Sequence, residues 1–310
     1  MLARRLLATQ KVGGSGDQYI AIAQGGKFTV HNISDWSFSH EFTGLSCGTP
    51  SSALPVNGMT IDKDNAVFVQ QGASRTGIYT LADATEILDV SGESGAGLSD
   101  AHAGRVSAPT GRSEFSIYDT ATGGFIDDVK MGTTRSNGVS GLSFDGNRLV
   151  TGNDNGALEL FDLTSFSSLD NLSIGKAVYI IKIDSARNYC FFGADERAIT
   201  YDISSDTLAL VTNLTTNSIT GADISEDNSK VFVAFKNDNE LTRYDMPYLT
   251  NPLTSPVVFA NDPTFVRVNG DSSIVAVGDT SGNVYLINTN DLTLIDTITG
   301  YAAISGLDFY

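Results

Sequence analysis

Apolar and polar residues alternate with a period of two along most of this chain, in short runs broken by clusters of Asn, Asp, Gly and Ser. Residues i and i+2 share one face of a strand, so the pattern predicts short β-strands joined by tight turns. Helical spacing is nowhere sustained. One strand pattern recurs and ends in a short polar residue: Phe28–Asn32, Phe115–Asp119, Leu158–Asp162, Ala198–Asp202, Leu241–Asp245 and Val284–Asn288. A further copy, Ile78–Ala82, lacks the polar end. The copies recur every 43 residues on average, a spacing typical of repeats that each supply one four-stranded sheet.

A second pattern interleaves with the first and reads apolar, small polar, Gly, apolar, polar, apolar. Its copies are Val56–Ile61, Val139–Phe144, Ile219–Ile224 and Ile304–Phe309, with Gly95–Ser99 a degenerate one. Val178–Ile183 and Pro263–Val268 keep the alternation without the Gly. Each copy precedes its partner strand by 21 to 24 residues except the last, which has none after it. The chain therefore starts within a repeat and ends on the opening strand of one. If Ile304–Phe309 pairs with Gln18–Ala23, seven four-stranded sectors close into a ring, and closure removes unpaired sheet edges. Thr9–Val12 is the rival for that innermost place, and residues 1–12 are otherwise an extra strand or an arm. One sector reads as strand Val139–Phe144, a turn at 145–147, strand Arg148–Gly152, a turn at 153–156, strand Ala157–Asp162 and strand Ser168–Leu172. Short Asn, Asp and Gly clusters suit hairpins. A Gly in the innermost strand lets neighbouring backbones approach closely. The expected fold is all-β: a single seven-bladed β-propeller domain over residues 1–310, closed by the C-terminal strand joining the N-terminal blade.

Over its full length the chain resembles the WD40/YVTN-like propeller superfamily. The residues that carry the resemblance are Tyr118-Asp119, Phe161-Asp162, Tyr201-Asp202 and Tyr244-Asp245, which stand where those repeats place Trp-Asp. Ile224–Val233 and Phe144–Val150 are similar to the family's hairpin between the first and second strands of a blade. The chain departs from the pattern in having no Gly-His dipeptide, and Trp36 is not followed by Asp. The His-to-Asp hydrogen-bond network of WD40 repeats is therefore not expected. Degenerate propellers of this kind are also similar to accessory proteins of bacteriophage particles.

Charge narrows the partners. With 19 Lys and Arg against 36 Asp and Glu, the 310-residue chain carries −17, which argues against a broad footprint on nucleic acid or an anionic membrane. No stretch approaches the ~20 apolar residues of a membrane span. Cys47 and Cys190 fall in distant sectors, so no disulfide is expected. The segment Met1–Leu7 has no apolar core of signal-peptide length, which predicts no secretory signal. It bears arginines and no acid precedes Asp17, which leaves a transit-peptide reading open. Sequons at Asn32, Asn171 and Asn213 follow from a composition rich in Asn, Ser and Thr.

Motifs for catalysis are weak. Gly44–Gly48 matches G-x-S-x-G, but a nucleophile elbow needs a helix after it, and Thr49-Pro-Ser-Ser52 offers none. His31, His40 and His102 have no metal-ligand spacing. Asn153–Gly156 looks like the middle of a calcium loop, yet Thr151 stands at the first ligand position and Asp162, not Glu, at the last. It aligns with Asp279–Gly282 and predicts a plain hairpin turn. No phosphate loop is present. The expectation is no enzyme, no metal and no cofactor. Loop length varies most between blades, on the rim that also carries the turns between second and third strands, and such loops commonly hold recognition sites. Candidate contacts there are Leu45, Cys47 and Leu54 on the longest loop, with Arg75, Arg112, Arg135 and Lys236. Lys182, Asp223, Arg267 and Asp308, two positions beyond the inner-strand Gly sites, are candidates for the central channel. The first functional expectation is a non-catalytic structural or interaction subunit of a bacteriophage virion, contacting other protein subunits, with no nucleic acid and no membrane insertion. The alternatives are a free cytoplasmic scaffold, and a sugar-binding protein or enzyme that uses the channel.

Overall fold

The computed structural model describes residues 18–24, 27–43, 45, 58–71, 75–91, 101–111, 114–132, 138–236, 238–302 and 304–310. They form 27 strands and no helix. The strands make six four-stranded antiparallel sheets and one three-stranded sheet. These are the seven blades of a β-propeller, with strands A to D running outward in each four-stranded sheet. The inner strands Gly306–Phe309, Met59–Asp62, Gly138–Leu142, Val178–Ile183, Ile219–Ile224 and Pro263–Val268 belong to blades one, two, four, five, six and seven. Neighbouring inner strands lie side by side around the axis. The described strands of blade three are Arg105–Gly111, Glu114–Asp119 and Phe125–Lys130; the expected inner strand Gly95–Ser99 lies outside the described residues.

The first described strand, Tyr19–Gln24, and the last, Gly306–Phe309, meet in blade one, as the repeat phase predicts. Ile20, Ala21, Ile22 and Ala23 pair with Phe309, Asp308, Leu307 and Gly306. The Tyr310 carbonyl accepts from the Gln18 and Tyr19 amides at 3.0 and 2.8 Å. The Tyr19 and Tyr310 rings stack over this seam at 5.3 Å. The rival Thr9–Val12 lies outside the described residues.

Apolar packing is divided among the blade interfaces. Seven clusters of buried side chains each bridge two neighbouring blades. Ile20, Ile22, Leu307 and Phe309 of blade one pack with Phe265 and Leu286 of blade seven. The opposite face of the same blade, Ala21, Phe28 and Val30, packs with Met59, Phe68 and Tyr79 of blade two. Inner strands are thus covered on both faces, and segments such as Val231–Phe235 are buried at every position. Strand D is the outer edge and stays mostly exposed, as in Thr250–Thr254.

One expected copy is shifted. The strand predicted as Ile78–Ala82 is Arg75–Thr80. Thr80 pairs with Val67 as Asp162 pairs with Arg148, so Thr80 is the polar end that Ala82 lacked. It ends the strand because its hydroxyl and carbonyl accept the Thr85 and Ala84 amides at 3.0 Å each. The Gly positions have the expected cause. A Cβ on Gly221 would lie 2.9 Å from Val266 Cγ2 and 3.1 Å from the Thr264 carbonyl of the next blade. One on Gly306 would run into Met59 Cβ and lie 2.9 Å from the Met59 amide N.

A signal absent from the repeat reading sets the turns. Asp-x-Ser or Asp-x-Thr recurs where strand A meets B or C meets D, at Asp35, Asp83, Asp227, Asp271 and Asp291. The carboxylate accepts the amide two residues on, at 2.9–3.1 Å, and the residue between takes a left-handed φ of 53–60°. Side-chain capping of its own turn is what makes Asp favourable there.

Gly306→Ala must push the closing strand away from blade two. It is expected to cost about 1–3 kcal/mol, read as a lower urea midpoint with an unchanged slope. Hydroxyl bonds from Ser37, Ser225, Ser273 and Thr293 hold Asp35, Asp227, Asp271 and Asp291 below the ordinary carboxylate value of 3.8. Lowered native values stabilise the fold fully above 3.8 and lose that effect as pH falls through them. Urea midpoints should therefore drop on acidification below that value, and less steeply in an Asp271→Asn, Asp291→Asn variant, whose amides still cap the turns uncharged.

Candidate functional site

The four expected channel charges occupy one equivalent position in four consecutive blades. Lys182 is in blade five, Asp223 in six, Arg267 in seven and Asp308 in one. Lys182 Nζ lies 3.2 Å from Asp223 Oδ1, and Arg267 Nε lies 3.4 Å from Asp308 Oδ1. Each carboxylate also reaches onward. Asp223 Oδ2 accepts the Val268 amide of blade seven at 2.9 Å, and Asp308 Oδ2 accepts the Ile61 amide of blade two at 2.8 Å. The alternating charges therefore link blades five, six, seven, one and two. Lys182 and Arg267 are only 4% and 3% exposed, and a buried cation is tolerated only when paired and hydrogen-bonded. The equivalent residue of blade two, Thr60, accepts the Ala101 amide on its hydroxyl oxygen at 3.0 Å.

A cavity of about 380 Å³ opens over these charges. All seven blades line it, through Asp308, Thr60, Ala101, Phe144, Lys182, Asp223 and Arg267 among others. Its walls continue into Lys63, Asp64, His102, Ser185, Glu226 and Gly270, which follow the inner strands. The mouth is therefore on the rim of the A–B and C–D turns. That is the rim opposite the loops in which sequence reasoning placed the working face. The His102 and Phe144 rings stack at 4.2 Å beside it.

The loop candidates stand differently. Leu45 is buried among Phe28, Phe68 and Tyr79, between blades one and two. Cys47, Leu54, Arg112 and Arg135 lie outside the described residues, as do Gly44 and residues 46–48 of the G-x-S-x-G match. Arg75 opens a strand rather than standing in a loop. Its guanidinium lies 2.6 Å from Asp89 Oδ2. Lys236 is exposed and follows strand Lys230–Phe235. Lys27 and Lys176 pair with Glu41 and Glu196 at 3.5 and 3.1 Å.

Other candidate chemistry resolves into structure. Asn153 Oδ1 accepts the Asn155 and Ala157 amides at 3.1 and 2.9 Å, which is a hairpin turn. His31 bonds through Nδ1 to the Trp36 carbonyl at 2.9 Å and through Nε2 to the Tyr301 hydroxyl. Burial pushes that hydroxyl's pKa up to about 12. Burial also lowers His40, and it raises the Cys190 thiol well above its usual value, which leaves it a poor nucleophile. Among the described residues no three His, Cys, Asp or Glu side chains are grouped so as to hold a metal ion.

Sequence reasoning also missed a surface feature. Phe38, Phe125, Leu210 and Leu294 stand at one equivalent position, opposite His31, Tyr118, Tyr201 and Ile287 in their C strands. They are 60, 58, 59 and 48% exposed. The signal was available as an apolar residue six to eight positions after the polar strand end.

No protein-family profile matches the chain, and no curated protein matches its sequence. The fold, in contrast, is similar to that of 1859 solved chains, too many to point to one role. One is a chain in the crystal structure of a mitotic checkpoint complex. It superposes with a TM-score of 0.72 over 86% of this chain and 83% of that chain, at 16% identity. Likeness at that identity shows the propeller fold.

Asp308→Ala would remove the carboxylate that the buried Arg267 Nε faces and would free the Ile61 amide. A loss of about 3–5 kcal/mol is expected. The double change Arg267→Met, Asp308→Leu should recover much of it, because apolar pairs replace buried ion pairs well. Equal instability of both variants in urea titrations would show that the pair is not what joins these blades.

Proposed function

We propose that this propeller is a non-catalytic protein-interaction subunit of a larger assembly. The observation that carries the reading is the set of large apolar side chains left outside a well-covered ring. Phe38, Phe125, Leu210, Tyr248, Val258 and Leu294 are 48–83% exposed. Apolar groups on a rigid scaffold are what a partner buries, and exposed patches of them mark interaction sites. The central charges support the same reading, since Lys182, Asp223, Arg267 and Asp308 are engaged in joining blades. The propeller in the mitotic checkpoint complex is itself part of a protein complex, which favours protein partners here.

Within that reading, a composition rich in Gly, Thr, Ser and Asn and poor in Lys is the support for a bacteriophage particle as the assembly. A freely soluble cytoplasmic scaffold is the competing placement. The seven-blade cavity favours a second reading, a sugar-binding protein or enzyme that uses the channel.

Velocity sedimentation of an extract from the protein's source, followed by the chain's own signal, separates these. The expected result is co-migration with particles or with a stable complex, through an interface above about 1,000 Å². Sedimentation only as a free monomer would overturn the interaction reading. A monomer whose melting temperature rises with added sugars would replace it with the channel reading.

A further inference from the structure

We propose that the rim of A–B and C–D turns is the docking face, and that its partner is a basic protein surface carrying apolar side chains. The inference rests on the interaction reading above and adds the face and the chemistry of the partner.

The apolar anchors define the face. Phe38, Phe125 and Leu294 are the first residues of their D strands and Leu210 is the second, so all four emerge next to C–D turns. They recur in blades one, three, five and seven, which spreads them around the ring. At the hub of the same rim, Phe144 is 41% exposed at the cavity mouth. A partner lying across this face would therefore meet apolar contacts at its periphery and at its centre.

Charge selects the occupant. The turns of this rim display Asp35, Asp83, Asp145, Asp227, Asp271 and Asp291. Among the described residues, its cations other than the exposed Lys63 are held against the protein. Arg105 Nη1 donates to the Gly146 and Leu163 carbonyls, and Arg243 Nη1 to those of Thr289 and Asn290, at 2.7–3.1 Å. Arg148 bridges Asp162 and Asp206, Arg187 pairs with Asp145, and Lys230 pairs with Asp245. The outward field is negative, in keeping with a net charge of −17. A basic strip is attracted to such a face, whereas nucleic acid, an anionic membrane or an acidic protein is repelled. Among the described residues, the opposite rim carries both signs, with Lys176 against Glu196 and an exposed Lys236.

The test uses the full chain and two fluorescein-labelled peptides of equal length, one alternating Lys with Leu and the other Glu with Leu. Fluorescence anisotropy should show binding of the Lys peptide only, weakening as salt shortens the range of the field. Phe38→Ser with Leu294→Ser should weaken it by about tenfold. Val258→Ser should leave it unchanged, although Val258 is 83% exposed, because it lies in a D–A connection on the other rim. Equal binding of both peptides, or a Val258→Ser effect as large as that of the anchor pair, would overturn the proposal. These positions are at the surface, and an unchanged melting curve confirms that each variant is folded. In the sedimentation experiment the anchor variant should leave its assembly. If it stays, this face is wrong and the interaction reading stands; if the unaltered chain never enters an assembly, that reading fails first.

Discussion

Each blade depends on its two neighbours, because apolar burial lies between blades. Seven clusters sit at seven interfaces, and the inner strands of one blade are covered only by the next. A four-stranded sheet exposed on either face would leave a wide apolar surface in water, so the chain gains stable packing only when the circle is complete. Closure falls on the short pairing of Gly306–Phe309 with Tyr19–Gln24. The hydrogen bonds of Tyr310 and the stacking on Tyr19 reinforce this seam.

The same constraint accounts for the centre. Inner strands of adjacent blades approach so closely that Gly221 and Gly306 have no room for a side chain. Two positions further along, longer polar side chains reach from one blade to the next. Lys182, Asp223, Arg267 and Asp308 do this with alternating sign, so each cation faces a carboxylate. Charges in a channel suggest chemistry on first sight. Here their geometry is that of fasteners, with each carboxylate divided between a cation and a backbone amide of the following blade.

A rigid ring fastened in this way leaves its turns free to vary in surface character. The Asp-x-Ser and Asp-x-Thr hairpins are solutions to local backbone geometry, yet they concentrate carboxylates on one rim. Local turn chemistry and long-range electrostatics are thus coupled: the residue that caps a hairpin also charges the face. The apolar side chains of four outer strands are set in that acidic surround.

Period-two alternation and the 43-residue recurrence in the sequence were enough to read the blades, their number and the closing pairing, because both depend only on which residues must turn inward along a strand. The channel positions were legible for the same reason, as a fixed offset from the inner-strand Gly. The copy at Ile78–Ala82 was misplaced by two residues, since its polar end is Thr80 and the alternation continues past it. Leu45 read as a contact residue on a loop because nothing local reveals that its side chain is buried between two blades. The pairing of Lys182 with Asp223 and of Arg267 with Asp308, the rim on which the cavity opens, and the exposure of Phe38, Phe125, Leu210 and Leu294 were decided by tertiary structure. Each depends on the distance between residues from different blades, which strand periodicity does not encode and only the closed ring fixes.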